Sequence, residues 1–283
     1  MLPKVLYKYC DGRGVDILRN LRLRVTPIDR FNDPFELAPR MRQDFPIEEA
    51  RAALTNPQNL RDLYEHGVRT GLITCSFEEY KALTIAVQDD LAAKNVENYP
   101  AAAKRFREEF LPTITRVFGL ICLSAVPNDI LMWAHYTDGH QGLVVGFDTN
   151  NEFFRFPPVH EVNYSSERVL LGHWFDLRDA PRRAEMITSL IRTKSQQWHY
   201  EQEWRQLRNL AQCTPQEDSQ VCRPTRTNYY VPIAASAVTE VVVGCRCKDG
   251  DIASLLNAPE LAHVKRRRAC IHDTDFAINV IDD

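Results

Sequence analysis

The chain has 283 residues, of which 44% are hydrophobic and 26% charged, and its formal net charge is −3 at pH 7. This composition argues against a disordered chain, and the slightly acidic balance argues against a surface built mainly for nucleic acid. No apolar run approaches the roughly 20 residues that a membrane-spanning helix needs, and the N-terminus lacks the pattern of a secretory signal. We therefore expect a cytoplasmic protein without a membrane partner.

Two alternating segments open the chain. In KVLYKYC the alternation predicts a strand with Tyr7 and Tyr9 on one face and Lys8 on the other. GVDILRN follows as a short helix. LRLRV then alternates strictly, which predicts a strand with Leu23 and Val25 directed inward.

The stretch FNDPFE predicts a turn after these strands. Asn32 and Asp33 favour Asx turns, and Pro34 holds the residue before it in an extended conformation. Two interpretations stay open for Asn32 and Asp33: a turn that directs the chain, or contacts with a ligand.

Residues 46–118 carry helical periodicity in successive stretches. Asn56 or Asn59 is expected to cap the second of these helices, and Pro100 to lie in the first turn of the last one. Because no flexible linker brackets the region, we interpret it as a helical insertion within a single domain of residues 1–283.

Strand signals return at GLICLS, which ends at Ser124, and at the buried run LVVGFD, Leu143–Asp148. Between them NDILMWAHYTDG predicts a short helix with Asn128 as N-cap and Gly139 as stop. A longer helix is predicted to end near Gln197. The remaining expected elements are strands at HEVNY, YYVPI, TEVVVGCRC and DFAINVI and a capped helix at DGDIASLLN. This irregular mixture predicts an α+β fold with a mixed or antiparallel β core.

The segment WHYEQEWRQL admits two structures. In a helix, Glu201 and Glu203 stand about 200° apart, and Glu201 pairs with Arg205. In a strand from His199 onward, alternation places Glu201, Glu203 and Arg205 on one face. Such a row of charges then has to meet solvent, each other or a ligand. The local pattern leaves both open, and the later strands favour the second.

Cysteine and histidine spacing predicts no metal site. The eight cysteines form no CxxC pair, and Cys245 and Cys247 are closer together than zinc ligands usually are. His135 and His140 share the stretch HYTDGH, but no cysteine or acidic cluster completes a site around them. The thiols are expected to be reduced and mostly buried.

Several motifs together resemble a known family. LYKYC, ILRNLRLRVTPIDRFNDPFE, LMWAHYTDGHQGLVVGFD and WHYEQEWR occur in this order from Leu6 to about Arg205. They resemble the bacterial domain-of-unknown-function family 2971. More distantly, the opening strand–helix–strand order, CLS at 122–124 and EQEWR at 201–205 resemble the ADP-ribosyltransferase fold. That resemblance implies an enzyme that cleaves the nicotinamide–ribose bond of NAD, with an unknown acceptor, as a toxin or phage-defence effector.

The resemblance also implies roles for individual residues. Glu203 would be the catalytic carboxylate at the ribose, and Glu201 its helper. Arg205 would orient Glu203 or hold a phosphate, with a structural ion pair as the alternative. Lys8 and Tyr9 would grip the dinucleotide.

Four further residues are candidates for the same site. Ser124 matches the serine or threonine of the middle strand. Trp133 and Tyr136 could stack on a base or on nicotinamide, although core packing is the plainer interpretation for Trp133. His140 lies in a loop before a buried strand, where functional groups are common.

Two other functions remain open. The basic run VKRRR, Val264–Arg268, is either a solvated loop or edge strand or the contact surface of a nucleic-acid-directed enzyme or binder. Alternatively, EQEWR is a structural ion-pair strand in a non-catalytic binding module.

Overall fold

A computed structural model describes residues 1–42, 44–171, 180–218, 226–248 and 256–283. Contacts between residues divide the chain into two compact units. The first comprises Met1–Glu36, Ile114–Glu167 and Ile191–Asp283, and the second comprises Leu37–Thr113 and Arg168–Leu190. Helices and a large sheet are both present, as the predicted α+β class requires.

The structure describes eight α-helices. The described α-helices are α1 (Val15–Asn20), α2 (Ile47–Thr55), α3 (Pro57–Arg69), α4 (Phe77–Ala86), α5 (Gln88–Arg105), α6 (Leu111–Val117), α7 (Ile130–Tyr136) and α8 (Ala180–Arg192). None of the described helices is both long enough and apolar enough to cross a membrane.

Most strands are short. The described strands are β1 (Val5–Cys10), β2 (Arg22–Pro27), β3 (Arg40–Met41), β4 (Phe118–Ser124), β5 (Leu143–Asp148), β6 (Val159–Glu161), β7 (Asn163–Ser165), β8 (Leu170–Leu171), β9 (Thr193–Ser195), β10 (Glu203–Asn209), β11 (Thr214–Asp218), β12 (Arg226–Pro232), β13 (Val238–Val243), β14 (Lys265–Ile271) and β15 (Ile278–Asp282).

One large sheet organises the first unit. Its strand order is β11-β12-β2-β4-β1-β5-β13-β14-β15, with β10 beside β4 and β6 beside β10. The described neighbours pair antiparallel, except β13 and β14, which are parallel. The predicted mixed, mainly antiparallel core is therefore present.

The two faces of this sheet bury different side chains, because successive residues of a strand point to opposite sides. Leu6, Leu23 and Ile121 belong to the larger core on one face. Tyr9 and Val144 belong to a smaller core on the other face. The predicted alternation of β1 and β2 is thus confirmed.

A gap opens along one edge of β4. Strand β10 pairs with β4 along the whole length of one edge, so β1 and β2 share the opposite edge. There β2 reaches Leu120, whereas β1 pairs with β4 only at Ser124. Among the described strands, none pairs with residues 121–123 on this edge. Instead, the Nζ of Lys8 donates to the carbonyl oxygen of Cys122 at 2.9 Å.

The second unit contains helices α2–α5, whose core includes Phe45, Leu54 and Tyr99. Its helices lie where residues 46–118 predict them. Asn56 caps α3 by accepting from two backbone N–H groups, so the first of the two predicted caps is confirmed. The expectation for Pro100 is wrong: it lies inside α5 and starts no helix. A proline there costs the helix one backbone hydrogen bond, which the rest of a long helix tolerates.

Three boundaries in the first unit differ from expectation. The N-cap of α7 is Asp129, not Asn128, because the Asp129 carboxylate accepts from two backbone N–H groups. The helix predicted to reach Gln197 ends at Arg192 and gives way to β9. The expected strand HEVNY is broken into β6 and β7. Most of the predicted helix Asp249–Asn257 falls outside the described residues.

Candidate active site at the gap beside strand β4

The segment around Glu201 and Glu203 is neither a continuous α-helix nor a continuous strand. Residues Gln196–Glu201 form a 3₁₀ helix, Gln202 adopts a left-handed backbone with φ 43° and ψ 53°, and β10 begins at Glu203. The expectation of a strand from His199 onward is therefore wrong. The left-handed residue separates the 3₁₀ helix from the strand, and the carboxylates on either side of it both bind Lys194.

Lys194 joins the two carboxylates. Its ammonium forms a salt bridge with Glu201, lies 2.9 Å from Oε2 of Glu203 and lies 3.4 Å from Oε1 of Glu36. The side chains of Lys194 and all three glutamates are at most 6% exposed. A buried charge is tolerated only when it is paired, and here each carboxylate has a cation within reach.

Arg205 completes this buried network on the other side. Its Nε and Nη2 donate to the two carboxylate oxygens of Glu203, each at 2.9 Å. Nη2 also donates to Glu36, and Nη1 donates to the carbonyl oxygen of Ile191 at 2.8 Å. This fork-like pairing fixes the carboxylate plane of Glu203.

Neighbouring hydroxyl groups hold the backbone and side chain around the turn. Ser124 Oγ donates to the carbonyl oxygen of Glu201 at 2.7 Å, and the Glu203 N–H donates to Tyr164 Oη at 2.8 Å. Tyr136 Oη donates to Oε1 of Glu201 at 2.6 Å. These contacts come from three separate elements, so the geometry of the carboxylate pair is set by the fold.

The two carboxylates have different acidities. Burial opposes ionisation of Glu203, but Arg205 and then Lys194 outweigh it and hold the pKa of Glu203 well below its usual range. Burial raises the pKa of Glu201, and Lys194 offsets this only in part. Burial likewise raises the pKa of Glu36. The pair thus combines one carboxylate with a lowered pKa, Glu203, with one that takes up a proton more readily, Glu201.

A cleft of about 260 Å³ opens onto this network. Strand β1 contributes Tyr7, Lys8 and Tyr9, and the segment after β2 contributes Phe31 and Asn32. The remaining wall includes Thr26, Arg30, Cys122, Ser124 and Tyr136 together with the buried network. The sequence-predicted residues Lys8, Tyr9, Asn32, Ser124, Tyr136, Glu201, Glu203 and Arg205 therefore lie around one cavity.

A wider groove of about 1080 Å³ lies next to the cleft. Both cavities share Lys8, Tyr9, Thr26 and Tyr136, which line each of them. The groove adds arginines, carboxylates and polar side chains, among them Arg19, Arg22, Arg24, Asp11, Asp16, Asp138, Glu217, Asn228 and Tyr230. A ligand that fills the cleft has space to extend along this groove.

Three predicted site residues line neither the cleft nor the groove. Asp33 is buried, and its Oδ1 accepts from the Phe35 N–H at 2.8 Å, as in the turn interpretation. Trp133 is fully buried in the smaller core, where it packs edge-on against Tyr9. His140 has a left-handed backbone and stacks parallel to Trp133 at 6.3 Å between ring centroids. For Trp133 the core interpretation is the one that fits the structure.

Sequence reasoning missed several residues of this site. Glu36 lies within FNDPFE, the stretch from which only Asn32 and Asp33 were selected. Lys194 was hidden because its segment continued a helical pattern. Nothing in the local sequence marks Tyr164, whose contact with Glu203 spans 39 positions of the chain.

The basic run of β14 is paired with acids. Arg266 and Arg268 form salt bridges with Asp283, and Arg267 forms salt bridges with Asp282 and Glu240. Strand β14 is flanked by β13 and β15, so the run is part of an inner strand, neither a loop nor an edge.

Comparison with known proteins gave one result. Neither curated proteins nor solved structures yielded a match. One protein family does match, over residues 132–206. This segment begins in α7 and ends in β10, so it contains Tyr136, Lys194, Glu201, Glu203 and Arg205. The family is described as protein of unknown function (DUF2971), and it is the family whose motifs the sequence resembles.

Proposed function

We propose that this protein is an ADP-ribosyltransferase-like enzyme that cleaves the bond between nicotinamide and ribose in NAD. The observation that supports this most is the carboxylate pair: Glu201 and Glu203 share Lys194 at the wall of a cleft that Lys8 and Tyr9 also line. A role as toxin or phage-defence effector stays a prediction, and the assay below distinguishes transfer to an acceptor from hydrolysis.

The chemistry requires an anion beside the reacting sugar. Departure of nicotinamide with the electron pair of the C–N bond leaves an oxocarbenium-like ribose, as in glycoside hydrolysis. Glu203 is suited to stabilise that positive charge, because Arg205 and Lys194 keep its pKa low although burial opposes them. The guanidinium of Arg205 donates to Glu203, Glu36 and Ile191, which favours its role in orienting Glu203 over holding a phosphate.

Glu201 is suited to a different step. Burial raises its pKa, which brings a carboxylate closer to the range in which general bases work well. In its ionised form it accepts the proton of the incoming nucleophile, while the lone pair of that nucleophile forms the new bond to the ribose. Environments that separate the acidities of two neighbouring carboxylates are typical of such divided roles.

The cavities suit the rest of the substrate. The cleft is large enough for the nicotinamide riboside half, and Tyr7, Tyr9 and Phe31 offer aromatic surface for the ring. Lys8 lines both the cleft and the groove, and for this reason we assign it the role of binding the pyrophosphate of NAD.

A direct assay tests this function. The purified chain is incubated with NAD labelled in the adenosine half, and nicotinamide release and label transfer are followed by chromatography. We expect Glu203→Gln to lower release at least about 100-fold, the order of loss seen when one group that stabilises developing charge is removed. Glu161→Gln is the matched control, because Glu161 is exposed on the neighbouring strand β6 and is expected to leave the rate unchanged.

Absence of both nicotinamide release and label transfer in the native protein would overturn the proposal. Two further results would favour the alternative of a non-catalytic binding module: NAD does not raise the melting temperature, and Glu203→Gln changes the stability of the protein but no activity. The charged network would then be a structural element. The paired arginines of β14 give no comparable support to a nucleic-acid function.

A further inference from the structure

Lys194 reaches the carboxylate pair from outside the large sheet. It lies on β9, which pairs only with β7 among the described strands, and there it is the direct partner of Tyr164. Its three carboxylate partners all lie on other segments of the chain. The small sheet of β7 and β9 therefore delivers two groups to the site: the Lys194 ammonium and the Tyr164 hydroxyl that accepts from the Glu203 N–H.

The contacts of Lys194 place it between like charges. Oε2 of Glu201 and Oε2 of Glu203 both bind the same ammonium. Without that ammonium, two buried carboxylates would adjoin each other, and one of them would take up a proton. Arg205 does not take the place of Lys194 at Glu201, since its guanidinium donates to Glu203, Glu36 and Ile191.

We propose that Lys194 is a positioning residue, which keeps the Glu201 and Glu203 carboxylates together at the cleft and sets the pH at which Glu201 loses its proton. This inference rests on the proposed function for its kinetic readout, but its physical basis is the geometry of the network. Lys194 itself is not expected to touch the reacting atoms.

Glu36 supplies an opposing charge within the same network. It contacts both cations of the network, Lys194 at 3.4 Å and Arg205 through a hydrogen bond. An ionised Glu36 therefore competes with Glu201 for Lys194 and disfavours ionisation of Glu201. Removing Lys194 and removing Glu36 should consequently shift the titration of Glu201 in opposite directions.

Other titratable or charged groups also face Glu201, and none of them is substituted in the variants compared below. The titratable groups that interact with its carboxylate besides Lys194 are Tyr136 on α7, Tyr164 on β7, Tyr200 on the 3₁₀ helix and Glu203 on β10. Arg205 on β10 acts on it indirectly, through its salt bridge with Glu203. Lys8 on β1 lines the same cleft.

The test compares Lys194→Met with Glu36→Gln in the full chain. The rate of nicotinamide release is measured from acidic to neutral pH. Since Glu201 acts in its ionised form, activity falls as pH decreases through its pKa. We expect Lys194→Met to move this acidic limb to higher pH by roughly 1 unit or more, and Glu36→Gln to move it to lower pH, as the loss of a nearby charge requires.

A conservative variant separates charge from packing. Lys194→Arg keeps a cation, and its acidic limb is expected to lie between those of the native protein and Lys194→Met. Circular dichroism and melting establish which variants are folded. Where Lys194→Met yields no folded protein, the acidic limbs of Lys194→Arg and Glu36→Gln decide the question. If the limb reports a group outside this network, neither variant shifts it, and the role assigned to Lys194 is overturned.

A titration independent of catalysis distinguishes this inference from the proposed function. The δ-carboxyl groups are labelled with ¹³C in glutamate and assigned with Glu201→Gln and Glu203→Gln. If the native protein releases no nicotinamide, the proposed function fails, yet the carboxyl resonance of Glu201 still reports its pKa. If that pKa does not rise in Lys194→Met or does not fall in Glu36→Gln, the role assigned to Lys194 is overturned.

Discussion

Two charge-rich regions of the first unit show how burial changes the meaning of an ion pair. In the network of Lys194, Arg205 and the three glutamates, each side chain is at most 6% exposed. In β14 and β15, by contrast, the Arg267 side chain is 27% exposed and that of Asp282 is 91% exposed.

The difference lies in solvation. Exposed ions keep most of their water, so their pairing contributes little to stability. Buried ions lose that water and depend on their partners, so removal of one partner leaves an uncompensated charge. The run KRRR carries more charge in sequence than the run EQEWR, but it is Glu201, Glu203 and Arg205 of the second run that line the cleft described above.

The largest expected effect comes from Arg205→Met. This change leaves Glu203 and Glu36 without their main cation, and we expect the free energy of unfolding to fall by about 3–5 kcal/mol. Urea denaturation followed by circular dichroism measures it. Adding Glu203→Gln to the Arg205→Met protein should restore part of the loss. A decrease below about 1 kcal/mol would mean that the network is as well solvated as the exposed pairs.

An intermediate effect is expected for Tyr136→Phe. The change removes a 2.6 Å hydrogen bond to buried Glu201 and should lower the free energy of unfolding by about 1–3 kcal/mol. Since that bond favours the ionised carboxylate, the pKa of Glu201 should rise further. Tyr200→Phe is the matched control, because its hydroxyl lies 3.2 Å from exposed His135. Equal losses of unfolding free energy in both variants would show that burial does not make the hydrogen bond of Tyr136 more important than that of Tyr200.

The smallest effect is expected for Asp282→Asn. The exposed pair with Arg267 should contribute less than about 0.5 kcal/mol, and 1 M salt should abolish even that difference because it screens exposed charges. Thermal unfolding at low and high salt measures both quantities. A loss above about 1 kcal/mol at high salt would place the β14 arginines in the same class as the buried network.

The sequence predicted those parts of the fold that depend on local periodicity. Strands β1, β2, β4 and β5 were predicted because alternating or continuous apolar runs are decided within a few residues. The sequence left open whether Glu201 and Glu203 face a cleft together with the first strand or form ion pairs with arginine. In the structure both line a cleft with Lys8 and Tyr9, and Glu203 also pairs with Arg205. The strand that was expected to place the two carboxylates on one face is instead a 3₁₀ helix and a left-handed residue.

What the sequence did not reveal depends on distant contacts. Lys194 continued a helical pattern, and only its pairing with β7 makes the segment a strand. Glu36 belongs to the site because Arg205, 169 positions away, directs a bond to it. For Trp133 both stacking on a ligand and core packing were open, with core packing preferred, and its burial in the smaller core fits the second. No local pattern carries this information.

The left-handed conformation of Gln202 restricts how this site can vary among related chains. Position 202 tolerates residues that enter this region readily, such as glycine or asparagine, and disfavours β-branched residues. An insertion or deletion beside it would turn one carboxylate away from Lys194. A chain that conserves both glutamates but carries valine or isoleucine between them, or spaces them differently, should therefore be read as having lost the site.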